Sequence, residues 1–158
     1  MMFMDAKVVH GRARMCTTPL PRPGKEAKNL PMGSTILVMD DDECIRELLY
    51  LQLFKAGYHV LLAEDAIVAG HLLLKHRVDL ILADIEMPFM DGLTFVQALK
   101  ADPSVSWVPV IFITSHAGHE GRAKDVGAVG YLRKPVHADQ LLSTVAKNLR
   151  AKNPAEVG

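Results

Sequence analysis

Short apolar runs alternate with amphipathic segments along the chain from residue 34 onwards. We interpret the apolar runs as parallel strands, because strands that are covered by helices on both faces consist of nearly continuous hydrophobic residues. Five strands are predicted on this basis, at Thr35–Met39, Tyr58–Leu62, Asp79–Ala83, Val110–Ile113 and Val129–Leu132.

A helix is predicted after each strand. In the first helical segment, Ile45, Leu49 and Leu53 recur at the spacing of one helical face. Gly57 follows that segment, where a helix C-cap favours a positive φ. The predicted helices are Asp42–Ala56, Asp65–His76, Gly92–Ala101, Gly118–Val126 and His137–Arg150. The fourth of them is the weakest, because it contains two glycines, each of which costs about 1 kcal/mol in a helix interior.

Five successive strand–helix units predict an α/β domain over residues 34–150, with a parallel sheet between two layers of helices. In such sheets, ligands bind beyond the carboxyl ends of the strands, where the strand order reverses. The residues that follow each strand are therefore the first candidates for a functional site.

The two ends of the chain lack this pattern. Residues 1–33 are predicted to be a disordered leader, because four prolines interrupt the segment and it has no helical or strand period. Residues 151–158 are predicted to be a flexible polar tail. Because Met32 and Gly33 stand directly before the first strand, one hypothesis is that translation starts at Met32 and that the leader is a mis-assigned extension.

Composition and charge narrow the function classes. The chain has 18 basic (Lys and Arg) and 18 acidic (Asp and Glu) residues, but residues 1–33 hold six of the basic and two of the acidic ones. The predicted domain is therefore acidic, which disfavours nucleic-acid binding because such binding relies on neutralising phosphates. Cys16 and Cys44 form no metal-binding or disulfide pattern, which favours a cytoplasmic compartment. No apolar run reaches the roughly 18 residues that predict a membrane span.

Polar residues follow four of the five predicted strands. They are Asp40, Asp41 and Asp42 after the first strand, Asp84 after the third, Thr114 and Ser115 after the fourth, and Lys134 after the fifth. Because the carboxyl ends of parallel strands lie at one edge of the sheet, we expect carboxylates, a hydroxyl and an ammonium group to share one pocket there.

Such a pocket requires positive charge. Two carboxylates about 4 Å apart repel by roughly 4 kcal/mol at an effective dielectric constant of about 20. Lys134 supplies one positive charge, and Mg²⁺ is the divalent ion that suits a small set of oxygen ligands. A bound metal would neutralise and orient a phosphoryl group, and a carboxylate could attack that group to form an aspartyl-phosphate.

Four segments resemble the receiver domain of two-component response regulators, most closely its chemotaxis-regulator-like form. The segments are ILVMDDDECIR at 36–46, DIEMPFMDG at 84–92, VIFITS at 110–115 and GYLRKP at 130–135. The resemblance implies a doubly wound, flavodoxin-like fold with five parallel strands in the order 2-1-3-4-5. It also implies a phosphorylation switch rather than an enzyme acting on external substrates.

The resemblance also assigns roles to individual residues. Asp84 is implied to be the phosphoacceptor, and Thr114 and Lys134 are implied to contact oxygens of the phosphoryl group. The Mg²⁺ site would be formed by Asp40, Asp41, Asp84 and the backbone carbonyl of Glu86. Tyr131 would be the aromatic switch residue, which turns inward when Thr114 moves, and the Lys134–Pro135 peptide bond would be cis.

A sensor histidine kinase or a histidine phosphotransfer protein is the implied phosphoryl donor, and a downstream protein of unknown identity is the implied target. Because no DNA-binding or enzymatic segment follows residue 150, we expect a response regulator without an output domain. The segment from Thr114 to Lys134 is about two residues shorter than is usual in the family, so the fourth helix is expected to be short or loosely held.

Two other functions are considered. A phosphatase-like hydrolase could also use an aspartate nucleophile, Mg²⁺ and a lysine, but it would need a second aspartate as general acid where Glu86 stands. A degenerate interaction module is disfavoured by the intact acidic and basic residues. His116 and His119 are spaced like a weak metal-binding pair, but the sequence shows no third ligand nearby.

Overall fold

The computed structural model describes residues 33–152 and, before them, two short strands at Val8–Val9 and Arg12–Ala13. The strands are β1 Val8–Val9, β2 Arg12–Ala13, β3 Thr35–Met39, β4 His59–Ala63, β5 Leu80–Asp84, β6 Val110–Thr114 and β7 Gly130–Arg133. The helices are α1 Glu43–Lys55, α2 Ala66–Lys75, α3 Gly92–Ala101, α4 Glu120–Asp125 and α5 Ala138–Lys152.

Strands β3 to β7 form one parallel sheet in the order β4-β3-β5-β6-β7. Numbered from the first strand of this sheet, the order is 2-1-3-4-5, which confirms the predicted fold. The strand order reverses between β3 and β5, so the carboxyl ends of these two strands mark the place where ligands bind in such sheets. The short strands β1 and β2 form a separate two-stranded antiparallel sheet.

Alternate residues of each strand face opposite sides of the sheet, and each side has its own hydrophobic core. On one side Leu37, Ile81 and Phe112 pack among buried residues of α2, α3 and α4. On the other side Ile36 and Leu82 pack among buried residues of α1 and α5. Both faces of the sheet are therefore covered, which explains why the strands read as continuous apolar runs.

Aspartates begin the first three helices of this domain. The carboxylates of Asp42, Asp65 and Asp91 accept backbone N–H groups of the first turns of α1, α2 and α3, respectively. Such caps stabilise a helix by about 1 kcal/mol each, because they satisfy N–H groups that have no partner inside the helix. Gly57, after α1, has a φ of 97°, as predicted for a helix C-cap.

Helix α4 is the shortest helix, in agreement with its predicted weakness. It spans six residues, Glu120–Asp125, and its N-cap residue His119 makes no side-chain cap. Gly118 has a φ of 101°, so the backbone cannot continue as a helix through this residue, and the predicted start at Gly118 is wrong. Strand β4 also starts one residue later than predicted, because the N–H of Tyr58 bonds to the carbonyl of Leu53 and closes α1.

Most of the predicted leader (residues 1–33) and the last residues of the predicted tail (151–158) lie outside the described residues, so their disorder stays a prediction. The same holds for the hypothesis of a start at Met32. Helix α5 extends two residues into the predicted tail, to Lys152. Within the described part of the chain, no helix has the length and apolar character that crossing a membrane requires.

Candidate functional site

The predicted site residues lie at the carboxyl edge of the sheet. Asp40 directly follows β3, Asp84 ends β5, Thr114 ends β6 and Lys134 directly follows β7. In the register of the sheet, Asp84 lies opposite Ile113, one residue before Thr114. The sheet therefore brings together residues that are up to 94 positions apart in the sequence, which is the separation of Asp40 and Lys134.

Three carboxylates form the centre of the site. Asp40, Asp41 and Asp84 each present an oxygen atom within 4.8 Å of the other two. Asp40 and Asp84 are 1% and 4% exposed, whereas Asp41 is exposed to solvent. The cluster is thus buried where Asp40 and Asp84 adjoin the sheet and open to solvent at Asp41.

Lys134 bridges the two buried carboxylates. Its Nζ lies 2.9 Å from Oδ2 of Asp40 and 3.3 Å from Oδ2 of Asp84. The peptide bond between Lys134 and Pro135 is cis, as the resemblance implied. One ammonium group therefore faces two carboxylates, and the site carries an excess of negative charge.

Burial and the excess of negative charge change the proton affinities of the site. Burial, followed by repulsion from Asp40, raises the pKa of Asp84 to about 6. Burial likewise raises the pKa of Asp40. Burial alone would lower the pKa of Lys134, but its hydrogen bonds and charge interactions with the two aspartates outweigh this effect and raise it. The three carboxylates of the cluster, one of them open to solvent, are not fully neutralised by the single charge of Lys134. Such a set of charged oxygen ligands fits a hard divalent cation.

The backbone around the two buried carboxylates is tightly held. The N–H of Asp42 donates to Oδ1 of Asp40 at 2.9 Å, and the N–H of Glu86 donates to Oδ1 of Asp84 at 3.1 Å. Gly92 at the start of α3 packs so closely that a Cβ there would overlap the backbone carbonyl oxygen of Asp84. These contacts set the orientation of both side chains before any ligand binds.

Arg46 is a residue of the site that the sequence reasoning missed. Its guanidinium is buried, and Nη1 donates to the backbone carbonyl oxygen of Asp40 at 2.6 Å. Arg46 lies on the same face of α1 as the buried Leu49 and Leu53. A charged residue at an apolar position of a helix was the signal that could have identified it, because such a residue needs a buried partner.

A second group of polar contacts surrounds Glu86. Thr114 is fully buried, and its Oγ1 donates to Oε1 of Glu86 at 3.0 Å. Nδ1 of His116 lies 2.6 Å and Nε2 of His119 lies 3.7 Å from the same oxygen. Although partial desolvation acts in the opposite direction, the hydrogen bonds from His116 and Thr114 lower the pKa of Glu86.

The structure therefore places a carboxylate between His116 and His119 that the sequence did not reveal. Even so, among the described residues the only group of three acidic, histidine or cysteine side chains with ligand atoms this close together is the aspartate cluster. Tyr131 is half-buried, and its hydroxyl donates to the backbone carbonyl oxygen of His116 at 3.2 Å.

Comparison with known proteins identifies the family. The family model described as the response regulator receiver domain matches residues 36–146. This chain belongs to that family. It is thus a receiver domain of two-component signalling, as the resemblance implied, and its sheet order is that of the family's flavodoxin-like fold.

Curated relatives and solved structures agree with this assignment. The chain is 32% identical over 124 residues to the probable transcriptional regulator ycf29 of Pyropia yezoensis, covering 77% of this chain and 55% of the relative. It is 30% identical over 120 residues to the polar-differentiation response regulator DivK of Brucella anthropi, covering 75% of this chain and 98% of the relative. The chain thus spans about half the length of ycf29 but nearly all of DivK.

Two solved structures are similar over most of the receiver domain. The chemotaxis protein CheY4 of Vibrio cholerae is 32% identical, with a TM-score of 0.69 and coverage of 73% of this chain and 98% of that chain. The signal receiver domain of a histidine kinase from Syntrophus aciditrophicus is 30% identical, with a TM-score of 0.68 and coverage of 75% and 92%. Receiver domains of this fold therefore occur in response regulators and in kinases. The expectation that this protein has no output domain stays a prediction.

Proposed function

We propose that this receiver domain accepts a phosphoryl group on Asp84 and thereby switches between two conformations. The observation that carries the proposal is the position of Asp84. Its carboxylate is buried at the point where the strand order reverses, next to Asp40 and 3.3 Å from the ammonium group of Lys134. A buried carboxylate beside a fixed positive charge can act as a nucleophile towards phosphorus.

Attack by a carboxylate oxygen of Asp84 forms a new P–O bond while the bond between phosphorus and the donor breaks. With a phosphohistidine donor, the electron pair of the P–N bond stays on the imidazole nitrogen. Only the ionised carboxylate is nucleophilic. Since the pKa of Asp84 is raised to about 6, the group is mostly ionised at neutral pH.

Mg²⁺ is the cofactor we propose. It would be held by Asp40, Asp41, Asp84 and the backbone carbonyl of Glu86. When bound, it would neutralise the acidic cluster and the incoming phosphoryl oxygens. The protein's own contribution is to orient the nucleophile. The N–H of Glu86 holds Oδ1 of Asp84, and Lys134 holds Oδ2. Both carboxylate oxygens therefore have defined positions before the donor arrives.

The same residues would bind the phosphorylated product. The ammonium group of Lys134 would pair with one phosphoryl oxygen, and the hydroxyl of Thr114 would donate to another. Phosphorylation replaces the single negative charge of the Asp84 carboxylate with the charge of about −1.5 to −2 that the phosphoryl group carries, and it places this charge further out, on the phosphoryl oxygens. That charge would draw Thr114 towards Asp84 and let Tyr131 turn inward, which would change the surface that a downstream protein recognises.

We infer that the phosphoryl donor is a sensor histidine kinase or a histidine phosphotransfer protein. Family membership supports this inference, because receiver domains take phosphoryl groups from such proteins. A cytoplasmic location is part of the proposal, and the exposed Cys44, which forms no disulfide, is compatible with a reducing compartment.

A hydrolase function is less well supported. It would require a protonated acid near Asp84, and Glu86 is the nearest residue in sequence that could serve. The carboxylate of Glu86 already accepts hydrogen bonds from Thr114 and His116, and its pKa is lowered. An acidic group held in the ionised form is a poor proton donor.

The test is phosphorylation of the full chain by acetyl phosphate, with Mg²⁺ or with EDTA, followed by intact-mass measurement. We expect the wild type to gain the mass of one phosphoryl group in Mg²⁺ and Asp84→Asn to gain none. Asp102→Asn is the matched control, because it makes the same change at an exposed carboxylate beyond the end of α3. Equal phosphorylation of Asp84→Asn and the wild type would refute the proposal.

A further inference from the structure

The side chain of Glu86 makes contacts that the proposed phosphorylation does not need. The proposed function uses only its backbone. Its Oε1 nevertheless accepts a hydrogen bond from Oγ1 of Thr114 at 3.0 Å and lies 2.6 Å from Nδ1 of His116. Nε2 of His119 adds a more distant contact at 3.7 Å. Three side chains from the end of β6 and the segment that follows it thus contact one carboxylate oxygen.

The hydroxyl of Thr114 has a single hydrogen to donate. In this structure it donates that hydrogen to Glu86, and it accepts a hydrogen bond from the N–H of His116 at 3.2 Å. The hydroxyl cannot donate to Glu86 and to a phosphoryl oxygen on Asp84 at the same time. The two acceptors therefore compete for Thr114.

The burial of Thr114 strengthens its hydrogen bond with Glu86, and a phosphoryl oxygen has to compete with this bond. A surface ion pair contributes little, and the ring of His116 is largely exposed. Thr114, by contrast, is 0% exposed, and apart from Glu86 its hydroxyl has only a longer contact, 3.5 Å, with the backbone carbonyl oxygen of His116 as acceptor among the described residues. The hydrogen bond between Thr114 and Glu86 is therefore the contact of this group that has the largest effect on the position of Thr114.

The same carboxylate is connected to Tyr131. The hydroxyl of Tyr131 donates to the backbone carbonyl of His116 at 3.2 Å, and the ring of His116 is bound to Glu86. Glu86 thus holds Thr114 through a buried hydrogen bond, and it holds the backbone segment to which Tyr131 is bonded through the weaker contact with His116. These are the two residues that the proposed switch has to move.

We propose that Glu86 is a positioning residue that holds Thr114 and Tyr131 in the unphosphorylated arrangement. This inference rests on the proposed function, because it assumes that Thr114 moves towards a phosphoryl group on Asp84. Phosphorylation must then break the bond between Thr114 and Glu86, and part of the energy of phosphoryl binding is used for this step. Removal of the carboxylate would shift the unphosphorylated protein towards the switched arrangement.

The test is ¹⁹F NMR of the full chain labelled with fluorotyrosine. Within the described residues the tyrosines are Tyr50, Tyr58 and Tyr131. Tyr50 stacks on Phe54 in α1, and Tyr58 is buried beyond the end of that helix, so both serve as internal references. Beryllofluoride with Mg²⁺, an analogue of the phosphoryl group, defines the Tyr131 signal of the switched wild type.

We expect Glu86→Ala to move the Tyr131 signal towards its switched position without the analogue, and to lower the half-saturating concentration of the analogue about tenfold. Glu86→Gln keeps an acceptor for Thr114 but loses the charge that binds His116, so its effect should be smaller. If Glu86→Ala does not fold, as the reference tyrosines would show, Glu86→Met decides the question, because it also removes the acceptor of Thr114 but keeps most of the side-chain volume.

A Tyr131 signal and a half-saturating concentration that match the wild type in folded Glu86→Ala or Glu86→Met would overturn this inference alone. A wild type that takes up neither acetyl phosphate nor the analogue would overturn the proposed function as well. The two failures are therefore distinguishable.

Discussion

Asp84→Asn should stabilise the fold at neutral pH. The wild-type carboxylate is buried beside Asp40, and its pKa is raised from 3.8 to about 6. A shift of about two pKa units corresponds to about 3 kcal/mol, because each unit is worth about 1.4 kcal/mol. The folded protein binds the proton more tightly than the unfolded chain. The ionised form of Asp84 therefore destabilises the fold by this order of magnitude above pH 6.

The sign of the effect sets its pH window. Well below pH 3.8 the carboxylate is protonated in both states, and the penalty is absent. As the pH rises from 3.8 to about 6, the unfolded chain loses its proton first, and stability falls. Asparagine has no proton to lose, so the difference between Asp84→Asn and the wild type should grow across this range and then remain constant.

Urea denaturation in EDTA, followed by far-UV circular dichroism at pH 4 and pH 7.5, measures this difference. We expect Asp84→Asn to exceed the wild type by about 3 kcal/mol at pH 7.5 and by much less at pH 4. Asp102→Asn, at an exposed group whose pKa is lowered, should give no stabilisation at either pH. No gain for Asp84→Asn at pH 7.5, or a gain of the same size at pH 4, would refute the electrostatic reasoning.

Three further predictions concern the surroundings of Asp84. Mg²⁺ at about 100 times its dissociation constant should stabilise the wild type by about 2.7 kcal/mol in thermal melts, and Asp84→Asn distinctly less; equal shifts would place the cation elsewhere. Lys134→Met leaves two buried carboxylates without their cation and should cost about 3 kcal/mol at pH 7.5, whereas the exposed Lys75→Met control should change little. Gly92→Ala should cost about 2 kcal/mol in urea denaturation because of overlap with Asp84, whereas Gly70→Ala, in open space within α2, should be neutral or stabilising by up to about 1 kcal/mol. Equal effects of the two alanine substitutions would contradict the close packing described for Gly92.

Local patterns were sufficient for the α/β class and for the central residues of the site, whereas the strand order was predicted from the resemblance to receiver domains. The apolar run Thr35–Met39 was predicted with its observed bounds, as was the helix Gly92–Ala101. Buried parallel strands are continuous in hydrophobicity, and the first polar residue after each strand marks its carboxyl end. The positions of Asp40 and Asp84 at one edge of the sheet follow from that pattern and from the parallel topology.

Element ends that depend on individual backbone hydrogen bonds and dihedral angles were less predictable. Strand β4 starts at His59 instead of Tyr58 because the N–H of Tyr58 closes helix α1. Helix α4 starts at Glu120 instead of Gly118 because the backbone of Gly118 has a positive φ. A hydrophobicity pattern shows neither backbone hydrogen bonds nor dihedral angles, so such errors of one or two residues are expected.

The sequence by itself determined that carboxylates, a hydroxyl and a lysine lie at the carboxyl ends of strands in one parallel sheet, because hydrophobic periodicity and the alternation of strands with helices are properties of the chain pattern. Only the tertiary structure decided that Lys134 bridges Asp40 and Asp84, and that burial raises the pKa of Asp84 to about 6. It alone decided that Glu86 binds the hydroxyl of Thr114, 28 residues away. Burial, distances between side chains and the competition for a single hydrogen arise when the elements pack, and no local pattern encodes them.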